Sequence, residues 1–404
     1  MVPKKSNQWR LCSDYRKVNK VTKKDAYSIP NIREAFESLT GALFFSALDL
    51  FSGYHQIPML PEDQDITTIT TRFGNFNYVV MPFGLTNAPA TFQREMNRIF
   101  FPLLNKYVQV YLDDIIVYSP SYAQHLKDLE CVFRILRDNL LKVNIEKCHF
   151  CRQEIEALGH LVSVDGLRPI PSKVDAIKSL SPPSSITELR SFLGLIGYYR
   201  DFIENFAAIT APLNKLLRKN VSFVWNSDCD EAFHSAIECL SSAPILCFPR
   251  YDIPFFIRSD ACFNGIGGVL LQLLEDGVEH PIKFVSRSLH KAELNYPITE
   301  LEGIAAHYCL TVFSHYVLGN PFKTILYTDH LPLVSIINKA TPQTSKHARW
   351  INDFSQYKVE VRYQPGKLNK LTDALSRMSL KEDNDKVAAT HGEDHEEIYE
   401  EDYE

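Results

Sequence analysis

Gln109-Val110-Tyr111-Leu112-Asp113-Asp114-Ile115-Ile116-Val117-Tyr118 is the stretch that decides the fold. Val110, Leu112, Ile115 and Val117 flank two adjacent carboxylates, so the spacing predicts a strand, a tight acidic turn and a second strand. Like charges held at one turn raise each other's pKa. A divalent cation relieves that repulsion, because Mg2+ is bound by a few carboxylates together with substrate phosphates. A solvated turn would suit the same residues, so the surroundings have to decide.

Outward from the turn, the apolar run Ala42 to Leu50 predicts a buried strand whose Asp49 emerges at an edge and supplies a third carboxylate. Thr86 to Phe101 is expected to be helical, with Asn87 as cap, Pro89 in the first turn, and Phe92, Met96 and Ile99 on one face. Leu126, Leu129, Phe133, Leu136 and Leu140 predict a long amphipathic helix covering the sheet, an α+β layering. A Pro/Ser break at 181–185 precedes Ser185 and Glu188 at capping-box spacing, with Leu189, Phe192, Leu193, Ile196 and Ile203 as the apolar face. Ser227 and Asp230 open another helix. Further on, Phe255 to Leu271 reads as a strand pair, with Asp276-Gly277 as a later turn. Thr299–Val317 reads as helix, Lys323–Thr328 and Lys358–Tyr363 as strands, and Asn369–Arg377 as a short last helix. There is no internal repeat.

The 404 residues suffice for two to three domains, and 45% hydrophobic with 23% charged residues excludes a disordered, collagen-like or coiled-coil body. The longest nearly apolar stretch, Gly265 to Leu274, is far below the roughly 18 residues of a membrane-spanning helix. No secretory signal opens the chain, so its nine Cys are expected as reduced thiols inside the cell. The net charge of −6 is uneven: Ser379–Glu404 holds eleven Asp/Glu and two Lys, which leaves +3 for the rest. That acidic run is expected to be a disordered tail. The mildly basic body allows a nucleic-acid partner.

Trp9-Arg10 through Asp14-Tyr15-Arg16-Lys17-Val18-Asn19, Leu48-Asp49-Leu50-Phe51-Ser52-Gly53-Tyr54-His55-Gln56-Ile57, Met81-Pro82-Phe83-Gly84-Leu85-Thr86-Asn87-Ala88-Pro89-Ala90-Thr91-Phe92 and the acidic turn follow in one order. That series resembles the reverse transcriptase of gypsy-type (Metaviridae) LTR retrotransposon Pol polyproteins. Leu158-Gly159-His160 resembles the family's primer grip, and Phe192-Leu193-Gly194 to Tyr198-Tyr199-Arg200 its thumb. The resemblance implies that Asp49 and Asp113 bind two metals, supported by Asp114. It further implies nucleotide binding by Lys5 (or Lys4) and Arg10 on the phosphates, Tyr54 under the sugar, Leu50 beside the metal carboxylate, and Gly84 against the nascent base pair. Phe83 stands where retroviral enzymes have Gln, a departure that bears on nucleotide selectivity. Cys148 and Cys151 have the spacing of a zinc half-site but lack a second pair, so core packing is expected of them.

A second carboxylate set, Asp260, Glu302, Asp329 and Asp373, is too dispersed for spacing alone to interpret. Its contexts resemble the same family's RNase H domain: Ser259-Asp260-Ala261 with Gly265-Ile266-Gly267-Gly268, Thr299-Glu300-Leu301-Glu302, Tyr327-Thr328-Asp329-His330, and Thr372-Asp373-Ala374-Leu375-Ser376-Arg377. Glu300 competes with Glu302, which is preferred because it directly precedes the small and apolar helical run. The implied cofactor is Mg2+, two ions per site, with Mn2+ as substitute.

The expected fold is therefore α+β: a right-hand polymerase of fingers, palm and thumb, followed by an RNase H-like α/β domain with a mixed sheet. The expected boundaries are 1–164 for fingers and palm, 165–248 for a helical thumb and connection, 249–378 for the RNase H-like domain and 379–404 for the acidic tail. The resemblance implies RNA-directed DNA synthesis with RNase H activity. The implied partners are an RNA template, a DNA or RNA primer, RNA–DNA hybrid and deoxynucleoside triphosphates. No membrane is expected, the setting is cytoplasmic (in a virus-like particle or free) or nuclear, and a homodimer stays open. The competing class is a remnant that binds nucleic acid without copying it. The start close to the Lys4-Lys5 motif and the acidic end favour that class. The seven retained carboxylates oppose it.

Overall fold

The computed structural model describes residues 2–3, 9–262, 265–340, 342 and 344–365. They pack into two units: the residues up to Ser181 with Leu240–Arg250, and Pro182–Cys239 with those from Tyr251 on. The expected middle segment, 165–248, is divided between them. Its boundary at 164 falls inside a hairpin, because strand His160–Ser163 pairs antiparallel with Gly166–Pro169.

The first unit is built on a four-stranded antiparallel sheet of β1 (Phe44–Asp49), β2 (Val108–Tyr111), β3 (Asp114–Ser119) and β4 (His149–Arg152), in the order β2-β3-β1-β4. Alternation along the strands puts Leu48, Val108, Val110, Ile115 and Val117 into one apolar cluster. Phe92, Met96 and Phe100 of helix α1 (Ala88–Phe100) and Leu129, Val132 and Leu136 of helix α2 (Tyr122–Asp138) cover it. Each large side chain so buried contributes about 1.5–3 kcal/mol. Because Leu48 and Ile115 face the helices, their neighbours Asp49 and Asp114 point to the opposite face of the sheet.

Two local expectations are corrected. Asn87 flanks α1 but does not cap it with its side chain. Its amide instead donates to the Lys23 carbonyl (2.9 Å) and accepts from the Asp25 N–H (3.1 Å), tying down an upstream loop. In α2 the buried stripe is His125, Asp128, Leu129, Val132 and Leu136, whereas Leu126 and Phe133 are exposed and Leu140 lies beyond the helix end. The cause is a buried polar network. Ser46 Oγ and His125 Nε2 are hydrogen-bonded at 2.7 Å, Ser119 Oγ lies 2.9 Å from His125 Nδ1, and Ser119 donates to Asp128 at 2.7 Å. Burial pushes the His125 pKa down. With each group satisfied, the network is compatible with the core and rotates the helix away from the simple leucine stripe.

The second unit carries a five-stranded mixed sheet. Strands β5 (Phe256–Cys262), β6 (Gly265–Leu273) and β7 (Glu279–Arg287) form an antiparallel meander, and β8 (Thr324–Thr328) and β9 (Val359–Tyr363) add parallel to it beyond β5. Helix α3 (Ile298–Val312) packs against β5 and β6, and its Gly303 lets Trp350 of the helix Ser345–Ser355 approach too closely for any Cβ. The expected helix over 299–317 is broken at Phe313, where a separate turn Ser314–Val317 begins. Helices Leu331–Asn338 and Ser345–Ser355 were not anticipated. The expected last helix over 369–377 and the acidic tail lie outside the described residues. Ser185 does cap helix Ile186–Gly197, accepting from the Glu188 N–H at 3.2 Å. Glu188 reaches back to Ser184 rather than to Ser185, accepting from its N–H at 2.8 Å.

Candidate active sites

The acidic turn is a two-residue hairpin connection, since Tyr111 and Asp114 are cross-strand partners. Leu112 takes φ +51°, a left-handed conformation that costs a non-glycine residue about 1–2 kcal/mol. Gln93 of α1, fully buried, holds it there. Its Oε1 accepts from the Leu112 N–H (2.7 Å), and its Nε2 donates to the Val110 carbonyl (3.0 Å) and to Asn97 Oδ1 (2.9 Å). Sequence reasoning missed Gln93; a lone polar residue inside an apolar helical stripe was the available signal.

Asp49 and Asp114 stand directly opposite each other on β1 and β3, so their carboxylates share one face. Burial, and then the negative charge of Asp49, push the Asp114 pKa up, with Lys147 opposing. Lys147 Nζ sits 3.2 Å from both carboxylate oxygens of Asp49. Its ammonium offsets part of the like-charge repulsion, which the sequence did not reveal. Asp113 occupies the turn itself, and its carbonyl accepts from the Leu50 N–H at 3.4 Å. A Cβ on Gly53 would stand 2.5 Å from Asp113 Oδ1 and 2.9 Å from the Phe92 ring. Only glycine therefore lets the segment after Asp49 lie against this carboxylate.

The remaining expected nucleotide contacts are placed unevenly. Tyr54 is half-buried, its ring centroid 5.1 Å from Phe83 and 5.2 Å from Phe92. Burial and then the Asp113 charge raise its phenol pKa, so it borders the acidic turn. Gly84 takes φ +99°, and a Cβ there would lie 3.3 Å from the Ser13 carbonyl. The Leu50 side chain is buried in the core, which leaves only its backbone to meet a ligand. Arg10 belongs to a short strand, Trp9–Arg10, paired with Val2–Pro3. Lys5 lies outside the described residues.

In the second unit, Asp260 lies on β5, Glu302 on α3 and Asp329 directly after β8. Glu302 is buried, and its pKa is pushed up to about 8 by that burial, then by Asp329 and Asp260. Asp260 is raised by burial and then by Asp329. The three carboxylates therefore act on one another across elements far apart in sequence. Glu300 turns elsewhere, to an ion pair with Lys346 at 2.8 Å. Asp373 lies outside the described residues. Among the described residues no three His, Cys, Asp or Glu side chains are grouped closely enough to hold a metal ion by themselves. Cys148 and Cys151 pack, partly buried, against the apolar cluster of the first unit, and Cys148 donates to the Asn144 carbonyl at 3.2 Å. An open set of carboxylates suits Mg2+, which retains waters and takes substrate phosphates. Glu302 Oε2, buried with no hydrogen-bond partner among the described residues, is a donor that a hard cation would satisfy.

Comparison with known proteins agrees with this geometry. Residues 2–162 match the family described as reverse transcriptase (RNA-dependent DNA polymerase), and residues 225–324 match the RNase H-like domain found in reverse transcriptase. The retrovirus-related Pol polyprotein from transposon 297 of Drosophila melanogaster is 41% identical over 97% of this chain. That from transposon opus of the same organism is 38% identical over 94%. The chain spans 37% and 39% of the lengths of these two relatives. Among solved structures, a foamy viral protease-reverse transcriptase (dRH) in complex with double-stranded DNA has a TM-score of 0.79 at 24% identity, covering 90% of this chain and 64% of that one. The same viral protein in complex with RNA/DNA hybrid gives 0.71, covering 90% and 49%. The fold is thus a right-hand polymerase followed by an RNase H-like domain with a mixed sheet. No helix among the described residues is long and apolar enough to cross a membrane. The chain thus carries a reverse transcriptase domain over residues 2–162 and the RNase H-like domain found in reverse transcriptase over 225–324, and it is similar to the retrovirus-related Pol polyproteins of Drosophila transposons.

Proposed function

We propose that this chain synthesises DNA on an RNA template at Asp49, Asp113 and Asp114, and hydrolyses the RNA strand of the hybrid at Asp260, Glu302, Asp329 and Asp373. The observation that carries this is the pairing of Asp49 with Asp114 across β1 and β3 beside a strained turn that presents Asp113. Divalent cations, when bound, activate the attacking oxygen and stabilise the leaving one in an in-line displacement. Asp49 and Asp113 would hold them in the first unit, with Asp114 supporting the site. Lys5 and Arg10 would neutralise the triphosphate, the Leu50 backbone would flank it, Tyr54 would lie under the sugar, and Gly84 would admit the base pair. In the second unit Asp260, Glu302, Asp329 and Asp373 would hold the ions while water replaces the 3′-hydroxyl as nucleophile.

In this reading fingers and palm span 1–164, thumb and connection 165–248, the RNase H-like domain 249–378 and an acidic tail the rest. The partners are template RNA, primer, hybrid and deoxynucleoside triphosphates, inside the cell. Primer extension on an RNA template by the purified chain, with Mg2+ or Mn2+, tests the reading. Extension accompanied by hybrid cleavage is expected. Tight hybrid binding without either reaction would favour the non-copying remnant.

A further inference from the structure

The segment Arg200–Ile209 lies outside the five-stranded sheet of the second unit but is fastened to it. Arg200 Nη2 donates to the Ser286 carbonyl of β7 at 2.9 Å, the Ala207 N–H donates to Ser286 Oγ at 3.0 Å, and Lys283 pairs with Asp201 at 3.6 Å. At the centre of this strap Asn205 takes φ +51° and flanks the short helix Phe206–Ile209. Its side chain covers one particular strand position. Asn205 Oδ1 lies 3.0 Å from where a Cβ on Gly267 would stand, and the Val285 carbonyl lies 2.8 Å from the same point. Gly267 is the cross-strand partner of Asp260. Cross-strand partners present their side chains on one face, so the bare glycine leaves room for the Asn205 amide beside the Asp260 carboxylate. The amide also hydrogen-bonds that carboxylate, opposing the upward push on its pKa.

We propose that Asn205 is a positioning residue for the RNase H-like site, its amide fixing the Asp260 carboxylate for a divalent cation from a strap outside the sheet. The inference rests on the two-metal reading of Asp260 given above. An amide contributes what a carboxylate among carboxylates needs: an N–H donor without a further negative charge. The competing role is purely conformational, because Asn is also among the few residues that tolerate a left-handed turn. The two roles separate by substitution. Asn205→Gly keeps the turn and removes the donor. Asn205→Asp keeps shape and turn tolerance but sets a third negative charge beside Asp260 and Asp329.

The test uses the full chain, with Mn2+ binding read from the electron paramagnetic resonance of the free ion. Hybrid-cleavage kcat and KM, primer extension and Tm are measured alongside. Asp260→Asn in parallel identifies which Mn2+ class belongs to this site. Affinity of that class and hybrid-cleavage kcat should fall about tenfold in Asn205→Gly. In Asn205→Asp the added negative charge should keep or raise Mn2+ affinity while hybrid-cleavage kcat still falls about tenfold, because the donor that fixes Asp260 is gone. Hybrid KM, primer extension and Tm should hold. Asn205→Gly binding Mn2+ and cleaving hybrid as the parent chain does would reduce Asn205 to a turn residue, and should that variant not fold, an unchanged cleavage kcat in Asn205→Asp overturns the proposal equally. If Asp260→Asn removes no Mn2+ class, the proposal falls. If the parent chain binds Mn2+ there but cleaves no hybrid, the hydrolytic reading falls while the affinities still judge Asn205.

Discussion

The two carboxylate sites solve one electrostatic problem in different ways. In the first unit the acids sit at the rim of a hairpin, and Lys147 lies against Asp49, so part of the charge is cancelled by the protein itself. In the second unit the charges acting on Glu302 are both negative, burial adds to them, and Asp260 has the neutral Asn205 amide. Burial raises the cost of like charges because the interior screens them poorly. On the proposed two-metal reading, the carboxylates of the second unit would therefore lean harder on a bound cation than those of the first.

If each site has its own carboxylates, the largest effect is separability. Asp113→Asn should abolish extension, a loss of about a thousandfold or more, and leave hybrid cleavage intact; Asp260→Asn should do the reverse. Both reactions can be followed on one labelled hybrid, and loss of both in a single folded variant would merge what the comparison separates. A smaller effect is expected at the rim of the first site. Tyr54→Val should remain folded and lower discrimination against ribonucleotides about a hundredfold, or roughly 2.7 kcal/mol in the transition state. The ratio of kcat/KM for the two nucleotides measures it, and an unchanged ratio would remove Tyr54 from the sugar. Smaller again is the effect of Gln93→Ala. It orphans the Leu112 N–H and should cost about 1–3 kcal/mol of stability. Extension should drop about tenfold through loss of turn geometry, with cleavage untouched. Equal decline of both activities would point to general unfolding instead.

How much of this was legible in the sequence follows from what each residue does. The acidic hairpin and its flanking strands could be read because alternation and a charged pair are local signals, and the strand pair within 255–271 and the Asp276-Gly277 turn were legible from apolar runs and turn residues, whereas the third strand, Glu279–Arg287, was not anticipated. The α2 stripe was misread because His125 and Asp128 are buried by partners on β1 and β3, which no hydropathy pattern encodes. Asn87 was misread for the same reason, its amide being recruited by residues more than sixty positions away. Asp260, Glu302 and Asp329 could be picked out through their flanking motifs alone, since their mutual charge arises only when the sheet brings them together. Gln93 left one signal, a lone polar residue in an apolar stripe, whereas the Lys147–Asp49 ion pair and the Asn205 amide beside Asp260 join residues far apart in sequence, and spacing carries no trace of those.

The central claim is that ionised Glu302 is destabilising in the folded chain unless a cation compensates it, and amide hydrogen exchange of helix Ile298–Val312 tests it most directly. Its pKa rises from the ordinary 4.5 to about 8 in the folded chain, so the folded state binds the proton more tightly than the unfolded one. The stabilisation from that proton is complete below about pH 4.5 and is lost as pH climbs through about 8. Without divalent cations, protection of the helix should fall across this window in the parent chain, by at most about 5 kcal/mol. It should stay flatter in Glu302→Gln. Adding Mg2+ at pH 8 should restore protection in the parent chain and do little in the variant. Parallel pH profiles for the two proteins, or equal indifference to Mg2+, would contradict the account.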